Sequence, residues 1–180
     1  MADKLSVGAE APNFDLSSTE DAVLMLLDEV PRMAVLLYFF ADPTSERVRS
    51  ELQALAAAQD SLAGDRAVIL GISPTRLPGL KTAQRELGLR FPLLYDDRKF
   101  SVEYGIEAPE EGDPESGLFL VDRDLKIAWM ACPLSSMEVA LGEITSTLQS
   151  QPAQTYHYPK KVVNRVVNWW VNRIRPRPAA

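Results

Sequence analysis

A thiol in the first turn of a helix is a common way for a small protein to obtain a reactive nucleophile. The partial positive charge of the helix N-terminus stabilises the thiolate and lowers its pKa. The stretch Tyr38-Phe39-Phe40-Ala41-Asp42-Pro43-Thr44-Ser45-Glu46-Arg47 has the polarity such a site needs. An apolar strand, Ala34 to Phe40, runs into a short turn and then into a helix starting near Ser45. The start of that helix holds Glu46 and Arg47 and no thiol, however, and the sole cysteine of the chain, Cys132, lies far away in sequence. One cysteine excludes an internal disulfide and any CxxC redox or zinc site. The one histidine, His157, sits between Tyr156 and Tyr158 and leaves no basis for a histidine triad or a multi-histidine metal centre. No cofactor and no metal is expected.

Arg47 and Cys132 each admit two readings. A cation near a helix N-terminus costs about 0.3–1 kcal/mol when exposed, and Glu51, one turn on, can offset a few tenths of that by pairing with it. Arg47 is then either a solvated helix residue or the holder of an anion in a vacated pocket. Cys132 follows an apolar strand and precedes Pro133. It is either an inert core thiol, since cysteine is among the most buried residue types, or a one-cysteine redox site.

The elements that must position these residues follow from apolar spacing. Strands are expected near Ala34–Phe40, Ala67–Ile72, Leu93–Tyr95, Leu118–Val121 and Lys126–Ala131, and helices near Ser45–Leu62, Leu77–Leu87, Lys99–Tyr104 and Ser136–Leu148. The first helix places Val48, Leu52, Leu55 and Leu62 on one face, and Gly64-Asp65 ends it. Ser135 and Glu138 form a capping-box pattern before the last of these helices. Strands alternating with helices imply an α/β layer structure with a largely parallel centre. Asp122-Arg123-Asp124-Leu125 reads as a hairpin turn, which makes the sheet mixed. The acidic segment 107–115, with Pro and Gly, reads as an exposed loop.

Six phrases of the chain, in order, resemble those of the peroxiredoxins, the alkyl hydroperoxide reductase / thiol-specific antioxidant family. They are Val7-Gly8 through Leu16, Leu36 to Phe40, Val68 to Ser73, Phe91 to Asp96, Tyr104-Gly105-Ile106, and Leu118 to Asp122 with Leu125-Lys126-Ile127. The resemblance covers about residues 7–131 and implies a thioredoxin-like fold of peroxiredoxin type, a central mixed sheet flanked by helices. The family's catalytic motif, PxxxTxxC, anchored on Thr44, puts its proline on Phe40 and its cysteine on Arg47. The family's arginine, just before a late strand, falls near Ser116. Thr44, Arg47 and Ser116 are therefore the residues of a vestigial site. Peroxide reduction needs a thiolate with donors for the leaving oxygen, and this motif does not supply them.

Composition adds a second theme. Hydrophobic residues make up 46% and charged residues 24% of the 180, as in ordinary globular chains. The start, Met-Ala-Asp-Lys, does not read as a secretory signal, so a cytoplasmic location is the expectation, with association to a membrane or large complex as an addition. The net charge of −6 divides unevenly: residues 151–180 carry +6 and no acid, while the first 150 carry 13 basic and 25 acidic groups. The chain is read as a domain over 1–150, a linker over 151–159 and a basic amphipathic end over 160–180. From Lys160 to Arg175 the pattern is helical between Pro159 and Pro176, plus a broad arc of Val162, Val163, Val166, Val167, Trp169, Trp170 and Ile174. Such a helix can dock in a partner's groove, lie on a membrane surface, or pack on its own domain. A protein partner or self-association through Lys160, Lys161, Arg165, Trp169, Trp170, Arg173 and Ile174 is the expectation. Nucleic acid is not expected, because the body is acidic and no recognised motif occurs. The function these features imply is that of a redox-vestigial accessory or interaction protein. The alternative is a thiol-dependent oxidoreductase using Cys132.

Overall fold

The computed structural model describes residues 5–26, 33–106 and 116–150. The acidic segment 107–115, the linker and the whole of 160–180 lie outside them. In chain order the elements are β1 (Asp15–Ser18), β2 (Val23–Met25), β3 (Ala34–Phe39), α1 (Glu46–Gly64), β4 (Ala67–Ser73), α2 (Leu77–Glu86), β5 (Leu93–Tyr95), α3 (Lys99–Glu103), β6 (Gly117–Val121), β7 (Ile127–Ala131) and α4 (Met137–Ser150). The strands form one mixed sheet in the order β2-β1-β5-β4-β3-β6-β7.

The centre of the sheet is built from the most apolar runs. Every residue of β3 and of β4 is buried, which is what a strand covered on both faces requires. These two run parallel from Ala34↔Ala67 to Phe39↔Ile72, and β4 runs parallel to β5. β6 lies antiparallel to β3, pairing Val35 with Val121 and Phe39 with Gly117. β7 returns antiparallel to β6 through the expected turn. There Asp122 accepts the backbone N–H groups of Asp124 and Lys126 at 2.9 Å each, and Leu125 takes a φ of 60°.

Alternation of side chains assigns the faces. Tyr38 and its pairing partner Leu118 point to one side, and Phe39 and Phe119 to the other. The first side carries α1, α2 and α4: Tyr38 reaches Glu51 of α1, Arg49 of α1 pairs with Glu86 of α2 at 3.1 Å, and Trp129 reaches Glu143 of α4. The second side carries Tyr104, at the end of α3, in an aromatic cluster with Phe39 and Phe119.

Two differences from the sequence reading have local causes. β1 and β2 form a hairpin closed by Ser18, whose N–H and hydroxyl both donate to the Ala22 carbonyl, with Asp21 at a φ of 57°. Asp-Leu-Ser-Ser has weak β-propensity and is too short to display a period, so pairing with β5 makes it a strand. The cap of α4 is Ser136, not Ser135. The helix begins at Met137, and the Val139 N–H donates to the Ser136 hydroxyl at 3.4 Å. Glu138 is then one place too early to complete the reciprocal box.

The buried stripe of α1 comprises Val48, Leu52, Leu55 and Leu62, as the spacing predicts, with Gln59 among them. Gln59 is 3% exposed, and neither side-chain polar atom has a hydrogen-bond partner. Desolvating an amide without compensation costs about 1–3 kcal/mol. Gln59→Met, similar in length and volume, should therefore stabilise the protein by about 1–2 kcal/mol, read as a higher midpoint in chemical denaturation with an unchanged slope.

Candidate functional site

The site forms where β3 ends and α1 begins. Ser45 is the residue before α1, whose first turn holds Glu46, Arg47 and Val48. The connecting loop is fixed from two directions. Thr44 donates its N–H and its hydroxyl to the Asp42 carboxylate, each at 2.8 Å. From the end of β4, the hydroxyls of Ser73 and Thr75 both donate to the Ala41 carbonyl, at 2.8 and 3.1 Å. Thr44 is exposed, and this local turn, which holds the loop, is the role its contacts support.

Arg47 lies in the first turn of the helix and is exposed, while its neighbour Val48 is buried. One turn on, the Glu51 carboxylate accepts two hydroxyl hydrogen bonds, from Tyr38 of β3 by a short contact and from Ser116, which precedes β6, at 3.2 Å. Both donors are buried and Glu51 is half-buried. The Tyr38 phenol is pushed far above its ordinary range. Burial is the largest cause, followed by its hydrogen bond to Glu51 and that carboxylate's charge, with the Ser116 hydroxyl and the Arg47 charge acting the other way. Arg47, Glu51, Tyr38 and Ser116 thus form one electrostatic unit at the junction. Arg47 and Ser116 of the expected set are brought together. Tyr38 was missed, although a phenol inside a run of otherwise apolar residues is a signal that its hydroxyl needs a partner.

Tyr104 is the second perturbed phenol. Burial chiefly, and then the charge of Glu103, raise its pKa, and its hydroxyl donates to the Pro12 carbonyl at 2.8 Å. The sign of the linkage is fixed by the direction of both shifts. The folded state keeps these protons above the point at which unfolded tyrosines release them, so stability is full below that point and is lost above it. Each group contributes a slope of up to about 1.4 kcal/mol per pH unit above roughly pH 10. Thermal melts should show little tyrosine-linked change from about pH 7 to pH 9 and a steep fall beyond pH 10. Tyr38→Phe should remove about half of that slope.

Cys132 is half-buried and directly follows β7. It is far from Arg47 along the chain, but the topology brings the two to one end of the sheet. Phe39 pairs with Gly117, and Leu118 pairs with Ala131, so Cys132 lies at the same end of the sheet as the junction, two strands away. It is nonetheless on the other face. Met130 pairs with Phe119, and two residues on Cys132 faces the same way, with its thiol 3.8 Å from the Gly105 carbonyl beyond Tyr104. The sheet separates it from Glu51 and Arg47.

Chemically, the junction offers the Glu51 carboxylate with its two hydroxyl donors, the Asp42 carboxylate held by Thr44, and the Arg47 guanidinium. It has charge and hydrogen bonds but no nucleophile to be activated at the helix start.

Comparison with known proteins places these features in context. Residues 7–130 match the model of the AhpC/TSA family. The proteins named alkyl hydroperoxide reductase E of Mycobacterium bovis and Mycobacterium tuberculosis are each 31% identical over 122 residues, spanning 66% of this chain and 80% of theirs. The crystal structure of peroxidoxin BcpB from Mycobacterium tuberculosis superposes with a TM-score of 0.76 at 18% identity, covering 83% of this chain and 99% of that one. A structure of peroxiredoxin Q from Xanthomonas campestris does so with a TM-score of 0.70 at 16% identity, covering 81% and 96%.

Proposed function

This chain belongs to the AhpC/TSA family, and from that premise we propose that it is a member without peroxidase chemistry that acts as an accessory or interaction protein, with residues 160–175 as its recognition element. The observation that carries the reading is the content of the junction. The place for an activated thiol holds Arg47 and buried Val48, and the Glu51 carboxylate is anchored there by Tyr38 and Ser116. A fixed anion at that spot would oppose formation of a thiolate rather than promote it. Cys132 does not replace the missing group, because it faces the opposite side of the sheet. The recognition role is supported by the basic amphipathic pattern of 160–175 and its separation in charge from the acidic body. Its paired tryptophans are of the residue type that dominates protein interfaces.

The test is consumption of hydrogen peroxide and of an alkyl hydroperoxide by the full chain with dithiothreitol as reductant. The rate should equal that of the reductant alone, and Cys132→Ser should leave it unchanged. Turnover well above the background that disappears in Cys132→Ser would establish the thiol-dependent oxidoreductase and overturn the proposal.

A further inference from the structure

The outer face of α4 carries an open groove of about 580 Å³. Trp129 of β7 forms one wall, its indole N–H donating to Glu143 at 3.0 Å. Val139, 61% exposed, and the small residues Gly142 and Ser146 line it further, and Glu138 and Glu143 supply its charge. α4 has no lysine or arginine. The groove is thus apolar in part, acidic, and shallow enough for another helix to approach.

We propose that the occupant is the chain's own segment 160–175, seated on α4 in the same molecule. Three observations converge on this. The charges are complementary: residues 151–180 carry +6 without an acid, against a groove with two carboxylates. The apolar requirements match, since Val, Trp and Ile form one arc of 160–175, a surface that soluble monomers seldom leave uncovered. The reach is sufficient. α4 has 14 residues and is about 21 Å long, and residues 151–159 can span up to about 30 Å. The segment can therefore turn back after Ser150 and run antiparallel along α4, bringing its Arg173 end towards Glu138. A short tether holds the segment near its own groove at a millimolar effective concentration, which favours this arrangement over a second copy at micromolar concentration. The inference rests on the reading of 160–175 as the recognition element and adds its regulation: a partner must displace the segment from the groove.

Hydrogen exchange on the isolated full chain, with mass-spectrometric readout, tests the docking. Residues 160–175 should exchange at least about tenfold more slowly than an unstructured peptide, with the difference shrinking at high salt because part of the attraction is between charges near the surface. Gly142→Arg should abolish this protection, since it fills the groove and adds a positive charge that repels the basic segment and offsets one of the two carboxylates. That variant is expected to fold, because a Cβ at position 142 meets nothing within 4 Å outside its own stretch of helix and glycine is a poor residue inside a helix. Gly142→Ala should keep the protection. The proposal is overturned by unprotected amides in the parent chain, by protection unaffected by Gly142→Arg, by protection that grows with protein concentration (a second copy), or by protection seen only with anionic phospholipid vesicles (a membrane surface). Neither peroxide nor a partner enters the measurement. Peroxide turnover would defeat the proposed function and leave this result standing, and unprotected amides would defeat this inference and leave the absence of turnover standing.

Discussion

Glu51→Leu should destabilise the protein by about 2–3 kcal/mol, with a fall in melting temperature of roughly 5–10 °C for a chain of this size. The substitution keeps much of the side-chain volume but removes the acceptor shared by Tyr38 and Ser116. Both donors are buried, Tyr38 completely. A buried donor that loses its partner pays its full desolvation cost, which exceeds the net value of the bond that was broken. The same reasoning predicts rescue. In the Tyr38→Phe background one of the stranded hydroxyls no longer exists, so Glu51→Leu should cost less than half as much there. The two substitutions are therefore expected to couple by more than about 1 kcal/mol in a double-mutant cycle. Additive effects would mean that Glu51 acts on stability through something other than these hydroxyls. The result bears on function as well, because it measures how firmly the carboxylate is held at the helix start, where a thiolate would have to form.

The second large effect is expected on the other side of the sheet. Phe39, Tyr104 and Phe119 form a closed set: the Phe39 and Tyr104 ring centres are 4.9 Å apart, those of Tyr104 and Phe119 5.2 Å and those of Phe39 and Phe119 5.7 Å. Phe119 meets the other two edge-on, at 88° and 75°, a favoured arrangement worth some tenths of a kcal/mol to about 1.5 kcal/mol beyond burial. All three are essentially inaccessible to solvent. Phe119→Ala should cost about 3–5 kcal/mol, measured by denaturant unfolding, and Phe119→Leu roughly half of that. Cys132 lies beyond Met130 on this same face. The cavity left by Phe119→Ala should therefore speed alkylation of Cys132 by loosening its surroundings, whereas Glu51→Leu, on the far face, should leave that rate unchanged. Equal effects of the two substitutions would contradict the placement of the thiol.

Much of the architecture was legible in the sequence because it depends on local pattern. The run Ala34–Phe40 is too apolar to be anything but an inner strand, and the spacing of Val48, Leu52, Leu55 and Leu62 permits only one helix face. Asp122 to Leu125 contains the carboxylate that a tight turn needs to hold its own backbone. Arg47 falls in the first turn of α1 for the same reason: the strand, the turn and the helix are contiguous, so their order determines the place of each residue.

What only the tertiary structure decided are relations across distance in the chain. β1 and β2 are strands because β5 is there to pair with them, not because Asp-Leu-Ser-Ser favours extension. Gln59 sits within an apolar stripe that hydrophobic spacing skips over. Glu51 was legible as a neighbour of Arg47 one turn away, but its hydroxyl partners lie 13 and 65 positions from it, and nothing in the helix pattern points to them. Cys132 looked remote, yet the antiparallel return of β6 and β7 carries it to the same end of the sheet as Arg47. The pleat then turns it to the opposite face. A sequence specifies which residues alternate along each strand, but the register between strands determines which of them share a face, and that register is set by the packing of the whole core.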